Sequence, residues 1–268
     1  MMVFAAAAFV VLMWCVFTAV IFYLDSLATR TFKWSMAAAT VVLLGCGVAI
    51  LAFKDDGSTF AIAASFAAGL LVWGWTEMAL YMGFVTGPRK TRCVEGCSGA
   101  AHFGHAVNAN LWHEIVVIVF AAAIYFSGND TALWCFVMLW LMHLSARLNV
   151  FLGVRNVSAE FVPDHMDVLK GFLRQRKMNP LFPFSCAGLT ALTIYLAALP
   201  QTFEISMAAT LAAIGLLEHI LLMLPLPAEK LWAWSLSKKP RAEKIDAPES
   251  TNNNNKKHHH HTAVGALL

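Results

Sequence analysis

The chain has 268 residues, of which 59% are hydrophobic and only 13% are charged. Soluble domains carry about 25% charged residues, so this composition excludes an ordinary soluble protein and indicates an integral membrane protein. The net charge of +3 is too small to indicate a nucleic-acid partner. The six cysteines are scattered along the chain, which excludes the disulfide framework of a small secreted domain.

Seven apolar runs are long enough to cross a bilayer, which takes about 20 residues each. They cover residues 3–24, 34–53, 60–85, 107–127, 131–152, 181–199 and 205–225. We therefore predict an all-α polytopic membrane protein whose transmembrane domain, residues 1–227, holds seven helices. The tail, residues 228–268, is expected to lie at the membrane interface and then to become disordered, because it ends in an Asn/His-rich tract.

Basic residues are concentrated on one side of the predicted bundle. Seventeen of the nineteen lysines and arginines fall in the segments 25–33, 86–106, 153–180 and 228–268. The opposite loops hold only Lys54, and Arg147 lies inside the fifth span. Under the positive-inside rule, the N-terminus is predicted outside, and the C-terminus and the loops 86–106 and 153–180 in the cytoplasm.

Four of the predicted spans carry ionisable side chains at a similar depth. The residues concerned are Glu77, His113, Glu114, His143, Glu218 and His219. At 1.5 Å per residue, all six lie roughly 9–14 Å from the cytoplasmic edge. A charged group there costs about 2.5–3.5 kcal/mol, so such groups normally face the bundle interior and pair.

Three glutamates and three histidines are ligand types for iron, manganese or zinc, and we predict all six residues as candidate metal ligands. Six is an upper limit, because adjacent residues point about 100° apart on a helix. One member of the pair His113–Glu114, and one of the pair Glu218–His219, should therefore face the centre.

Two other interpretations of this layer stay open. Buried ion pairs that fix helix packing would use the same residues, with Arg147 one turn after His143 and able to neutralise a glutamate. A bound bacteriochlorophyll-type tetrapyrrole would take one of His113, His143 and His219 as axial ligand to its metal, with an arginine such as Arg147 on a propionate. No residue is assigned a catalytic role.

Four residues near the fourth span, Cys93, Cys97, His102 and His105, read C-x3-C-x4-H-x2-H. All are of types that bind zinc. The spacing is tighter than in common zinc folds, and no second knuckle follows. We therefore favour reduced thiols in a structured cytoplasmic loop.

The cytoplasmic segment "EFVPDHMDVLKGFLRQRKMNP" (160–180) has apolar residues at helical spacing. It is expected to form an amphipathic helix beginning near Asp164, which lies on the membrane or docks a partner.

Several stretches of the chain resemble the PuhE family of photosynthetic-complex assembly proteins. They are "TGPRKTRCVEGCSG" (86–99), "WHE" (112–114), "WLMHLSARLNVFLGVRN" (140–156), "EFVPDHM" (160–166) and "MNPLFPFS" (178–185). The resemblance implies an inner-membrane protein of purple-type phototrophic bacteria. It implies a role in building the reaction centre and antenna, or in bacteriochlorophyll supply, and it provides no catalytic residues.

We therefore expect an assembly factor for the photosynthetic apparatus, with membrane lipid, pigment and reaction-centre or antenna subunits as its partners. The alternative is an enzyme: a metal-dependent membrane oxidoreductase acting on a lipid-soluble or tetrapyrrole substrate. In the alternative, the six residues of the polar layer hold the metal. A transporter would use the same layer as a proton relay.

The charge asymmetry predicts the result of reporter fusions. A reporter that works only in the cytoplasm should be active when fused after residue 268 or within 86–106, and inactive within 54–58. A C-terminal reporter active only in the periplasm would contradict the predicted orientation and the common depth derived from it.

Overall fold

The structure is a computed structural model that describes residues 1–93, 97–156 and 167–224. Over these ranges the chain is helical, and its only β-type pairing is an isolated bridge between Val154 and Gln175. The helices are α1 (Met2–Ser26), α2 (Phe32–Ala52), α3 (Thr59–Tyr81), α4 (Gly99–Ser127), α5 (Asp130–Leu152), α6 (Asp167–Lys170), α7 (Phe182–Ala198) and α8 (Phe203–Leu221), with a 3-10 turn at Thr29–Thr31 before α2. The predicted all-α class is confirmed.

Six helices among the described residues are long and apolar enough to cross a membrane: α1, α2 with its preceding 3-10 turn, α3, α4, α5 and α8. The polytopic membrane architecture is therefore confirmed. Helix α7 has 17 residues and spans about 25 Å, so a seventh crossing by α7 stays a prediction, as does the orientation. The tail predicted from residue 228 lies outside the described residues.

The outer surface of the bundle is apolar, as a lipid-facing surface must be. Large side chains such as Leu44, Val48, Phe126 and Ile194 are more than half exposed. Helix α7 has no buried residue at all. A water-soluble protein does not expose an apolar surface of this extent, because such a surface would cause aggregation.

Helix α3 occupies the centre of the bundle and is the most buried of the membrane helices. It packs against α2 on one side and α5 on the other, while α1 packs against α8. Phe66 and Phe136 are fully buried in the core, and the rings of Trp73 and Phe136 meet edge to face at 5.8 Å. Side chains of α3 are thus held by neighbours on several sides, which suits it to carry a polar group in the interior.

A buried asparagine ties three helices together at the end of the bundle where α2 and α4 finish. The side chain of Asn129 accepts a hydrogen bond from the Ala132 backbone N–H (2.9 Å) and so caps α5. Its amide donates to the Ile50 carbonyl (3.0 Å) and to Ser65 Oγ (2.8 Å). These bonds satisfy a side chain that would otherwise be costly to bury, and they set the relative positions of α2, α3 and α5.

Two helix bounds differ from the apolar runs, and both differences have local causes. Helix α3 ends at Tyr81 rather than near residue 85, because Gly83 adopts a left-handed φ of 82° and the Val85 N–H donates to the Ala79 carbonyl. Helix α4 begins at Gly99, after Ser98, well before the apolar run at 107. The fourth helix therefore starts eight residues before the predicted span.

The prediction of an amphipathic helix within 160–180 is wrong for the residues that the structure describes, 167–180. Its expected start near Asp164 lies outside the described residues. Within the described residues the helix covers Asp167–Lys170 and ends there. The chain then folds back on the end of α5, with the Arg174 N–H donating to the Val150 carbonyl (3.4 Å). Phe172 is buried and packs against His102 of α4, while Leu169 and Leu173 are partly buried.

The loop after α3 makes a close backbone contact with the middle of α4. The carbonyl of Thr86 accepts a hydrogen bond from the backbone N–H of His113 (3.0 Å). A Cβ atom on Gly87 would lie 1.9 Å from the carbonyl oxygen of Asn108. Glycine is therefore required at position 87 for the loop to reach α4 and to hold the turn that carries His113.

Replacement of this glycine should destabilise the protein. Because the new methyl group meets backbone atoms that cannot rotate away, Gly87→Ala should cost about 1–3 kcal/mol or more. Thermal unfolding in detergent measures the loss. The matched control is Gly47→Ala in α2, where a Cβ would meet nothing within 4 Å; its unfolding temperature should stay unchanged or rise slightly. Equal unfolding temperatures for the two variants would contradict the assigned contact.

Candidate functional site

Glu77 lies between two histidines in the interior of the bundle. Its Oε1 is 3.5 Å from Nε2 of His113 on α4, and its Oε2 is 3.5 Å from Nε2 of His143 on α5. The exposed fractions of the three residues are 4%, 1% and 7%. Three helices thus meet at one carboxylate and two imidazoles, which we call the Glu77 cluster (Glu77, His113 and His143).

The polar atoms of the Glu77 cluster are incompletely satisfied by the protein. A separation of 3.5 Å exceeds hydrogen-bond length, and both carboxylate oxygens and both facing imidazole nitrogens are buried without another hydrogen-bond partner. Buried polar atoms of this kind are normally satisfied by an ordered water or an ion. The cluster is therefore suited to bind a small polar or cationic species, or to share a proton.

Neighbouring groups hold the two histidines of the Glu77 cluster in place. The imidazole of His143 meets the Trp73 ring edge to face, with centroids 5.3 Å apart. The backbone of His113 is held by Thr86 from the neighbouring loop. The positions of both rings thus depend on α3 and on the loop that follows it.

Glu218 reaches the same region from α8. It lines a cavity of about 70 Å³ together with Glu77 and His143, and its side chain is hydrogen-bonded to Trp14 on α1. Its Oε1 is buried without a hydrogen-bond partner. A cavity of this size has room for more than one water, and its mostly apolar wall carries the polar groups of Glu77, His143 and Glu218.

Glu114 points away from its neighbour His113. Its Oε1 accepts a hydrogen bond from Nη1 of Arg147 on α5 (2.8 Å), and its Oε2 accepts one from Nε1 of Trp140 (3.2 Å). The ion pair is about one-quarter exposed at each side chain. Arg147 therefore neutralises Glu114, one of the two glutamates that the sequence offered it.

His219 belongs to a separate hydrogen-bonded chain. Its Nδ1 is 2.8 Å from the Gly215 carbonyl and its Nε2 is 3.0 Å from Ser145 Oγ. Because Nδ1 must donate to the carbonyl, Nε2 of the neutral imidazole accepts from the Ser145 hydroxyl. Ser145 Oγ also lies 3.0 Å from Ser185 Oγ, which accepts from the Asn149 amide. Both ring nitrogens are thus satisfied by α5 and by the helix of His219 itself, and this arrangement links α8, α5 and α7.

The six predicted ligands therefore divide into groups. Glu77, His113, His143 and Glu218 surround the interior, whereas Glu114 and His219 bond elsewhere. One member of each adjacent pair faces the centre, in line with the geometric expectation. The donor types of the Glu77 cluster suit a transition metal, but its ligand atoms do not all lie within 4.8 Å of one another. Among residues 1–93, 97–156 and 167–224, the group that meets that distance is Cys93, Cys97 and His102.

Tyr81 is an interior residue that the sequence analysis did not select. It lines the cavity of Glu77 and Glu218, and also a second cavity beside Glu114 and Arg147. The signal for it was its position four residues after Glu77, which places both on one face of α3. Tyr81 therefore stands between the two cavities.

Removal of the central carboxylate should destabilise the bundle. Glu77→Ala removes the carboxylate that faces two buried imidazoles and leaves a cavity between three helices, so it should lower the free energy of unfolding by about 1–3 kcal/mol. Glu77→Gln keeps the shape and an acceptor oxygen and should lose less. Unfolding in detergent, followed by circular dichroism, measures both.

The control for this experiment is Asp55→Ala, which removes an exposed carboxylate from the loop after α2 and should leave stability unchanged. An Ala variant at position 77 as stable as the wild type would show that the Glu77 cluster does not hold the helices together.

Comparisons with known proteins identify a family and a relative of similar size. The family model described as "Protein of unknown function (DUF3623)" matches residues 1–243. A protein of Rhodobacter capsulatus, described as an uncharacterized 30.4 kDa protein in the puhA 5' region, is 35% identical over 226 residues, which cover 80% of this chain and 82% of that protein. No solved structure matches the chain. The chain belongs to the DUF3623 family.

Proposed function

We propose that this protein is a membrane factor for biogenesis of the bacterial photosynthetic apparatus, acting on pigment or on pigment-bearing subunits in the inner membrane. The observation that carries the proposal is the relative from Rhodobacter capsulatus, whose name places it beside puhA. A relative encoded in that region of a phototroph supports a role connected with photosynthesis. The resemblance of the loops and of the fifth span to the PuhE family supports assembly as the finer role.

A cavity between α4 and α5 supports the handling of a lipid-soluble ligand. Its volume is about 270 Å³, close to the lower end of small-ligand sites at about 300–1,000 Å³. Its walls are mostly aromatic and aliphatic, contributed by Phe103, Leu144, Leu148, Phe151, Phe172 and Leu173. Such walls suit an isoprenoid tail or the edge of a macrocycle.

The Glu114–Arg147 pair supplies the polar groups in the wall of this cavity. A guanidinium group binds a carboxylate through two parallel hydrogen bonds, and tetrapyrrole precursors carry carboxylates. A ligand acid could therefore displace Glu114 from Arg147 while its apolar part fills the cavity. This gives Arg147 the binding role predicted for it, with an acidic pigment or precursor as ligand.

Deletion in a phototroph that carries this gene tests the proposal. Loss of the protein should lower the absorption of assembled reaction centre and antenna per cell, while transcript levels of their subunits stay unchanged. Complementation with the wild-type chain should restore the absorption. Complementation with Glu114→Gln/Arg147→Gln, which removes both charges together and so strands neither, should restore it poorly at equal protein levels.

The matched control for the double variant is Arg155→Gln, an exposed arginine just beyond the same helix, which should complement fully. A deletion strain with normal pigment–protein absorption would overturn the proposal. Full complementation by the double variant would overturn the proposed role of the cavity, but not the proposed role in biogenesis.

A second function, a metal-dependent oxidoreductase acting on a lipid-soluble or tetrapyrrole substrate, is favoured by the donor set of the Glu77 cluster. Imidazole and carboxylate ligands suit iron or manganese, and the buried position excludes bulk water. This function requires Glu77→Gln to lose a redox metal and activity while the protein stays folded, so the stability experiment on the same variant separates it from a purely structural role.

A further inference from the structure

Two cysteines and two histidines meet where the loop after α3 joins α4. The ligand atoms of Cys93, Cys97 and His102 all lie within 4.8 Å of one another. A fourth side chain, His105, places Nδ1 3.2 Å from Cys93 Sγ and 3.4 Å from Cys97 Sγ. We call these four residues the Cys/His cluster. Both cysteines are free thiols.

The distances from His105 to the two cysteines match those between ligands of one tetrahedral zinc ion. Zinc–sulfur bonds are about 2.3 Å and zinc–nitrogen bonds about 2.0–2.1 Å, so a sulfur and a nitrogen on the same ion lie about 3.5 Å apart. The two sulfur–nitrogen distances at His105 fall close to that value.

Hydrogen bonding alone satisfies this arrangement poorly. The Nδ1 atom of His105 has a single site, which either donates or accepts one hydrogen bond depending on the tautomer, yet two sulfur atoms compete for it. Thiols are also weak donors. A cation that both sulfurs and the nitrogen bind at once removes the competition.

His102 provides an independent indication of a ligand. It is only 5% exposed, and neither ring nitrogen has a hydrogen-bond partner. Its ring stacks on Phe151 at 5.3 Å and packs against Phe172 at 5.2 Å, so packing has fixed an imidazole that the protein does not satisfy. Buried imidazoles in this situation commonly serve as metal ligands, since coordination satisfies one nitrogen.

The charges around the cluster also suit zinc. Two thiolates and two neutral imidazoles balance the charge of one Zn²⁺ ion. Zinc binding to such a pair proceeds with release of the thiol protons.

We propose that Cys93, Cys97, His102 and His105 bind one zinc ion in a closed, four-coordinate structural site. The site goes beyond the proposed function and does not depend on it. It departs from the sequence-based interpretation of these cysteines as free thiols alone, because the sequence could not show that His102 and His105 both turn toward them. With four protein ligands, the ion has no open position for a substrate.

Zinc at this position would hold one wall of the cavity between α4 and α5. Phe151 and Phe172, which enclose His102, both line that cavity. The ion would join the loop after α3 to the first two turns of α4, and through His102 it would fix both rings. Loss of zinc should therefore loosen the cavity wall as well as the loop.

Metal analysis of the full-length protein tests the proposal. His258–His261 are replaced by glutamine so that this tract binds no metal, and the protein is purified in detergent without chelators. The expected result is about one zinc per chain in the parent and less than about one-tenth in Cys93→Ser/Cys97→Ser and in His102→Gln/His105→Gln. The matched control, Cys15→Ser/Cys186→Ser, changes two other partly buried cysteines and should keep its zinc.

Cobalt substitution of the parent protein provides a readout that does not require any variant to fold. Addition of Co²⁺ to the zinc-depleted chain should produce the thiolate-to-cobalt charge-transfer band and the visible bands of tetrahedral coordination, saturating at one equivalent. Alkylation should modify Cys93 and Cys97 slowly until a chelator is added, and then quickly without any reductant.

Three results would overturn the proposal. They are a parent protein without zinc and without cobalt bands at one equivalent, cobalt bands that persist in the Cys93→Ser/Cys97→Ser chain, and a disulfide between Cys93 and Cys97 in protein taken directly from cells.

Discussion

A buried carboxylate must be satisfied wherever it lies, and the interior of this bundle is arranged around one such group, Glu77. In a bilayer no bulk solvent is at hand, so the groups that satisfy it must come from other helices. His113 and His143 approach its two oxygens from α4 and α5, and Glu218 faces the same cavity from α8. The relative rotations of these helices follow from that requirement, because turning any one of them would place a polar side chain in lipid.

Helix α4 connects the two polar centres of the protein. The Cys/His cluster lies at its first two turns, and His113 lies about three turns further on. Between them, the loop after α3 contacts the helix through Gly87 and hydrogen-bonds the backbone of His113. The loop after α3 is therefore held to α4 at Thr86 and Gly87, and an ion at the Cys/His cluster would hold it at Cys93 as well. The position of an imidazole in the membrane would then depend on a site at its surface.

The sequence predicted that several helices bring polar groups together, but it did not predict how those groups pair. Depth follows from counting residues along apolar helices, and the orientation of adjacent residues follows from the helical period, so the division of His113 from Glu114 was foreseeable. The sequence did not show that Arg147 pairs with Glu114 rather than with Glu77, because that pairing depends on how far α4 and α5 are rotated about their axes. The hydrogen bonds of His219 to Ser145, and the loop from Thr86 to His113, likewise depend on contacts between segments distant in sequence.

The segment after α5 shows the limit of periodicity most clearly. Apolar residues at helical spacing indicated a surface helix, yet Phe172 packs against His102, and the backbone of Arg174 bonds to the end of α5. Spacing identifies an apolar side but not the partner that covers it. The contacts of this segment with α4 and α5 could be read only from the structure.

The packing of α1 against α8 has a consequence for how the protein is made. Trp14 and Glu218, from the first and the last of these helices, line the same cavity, and Val10 and Leu211 share one core. During synthesis the first helix enters the membrane long before the last one leaves the ribosome. Until α8 arrives, the face of α1 that carries Trp14 and the carboxylate of Glu77 stay open to lipid or to an insertion partner. The cavity that Glu77 and Glu218 share is therefore complete only after α8 has packed against α1.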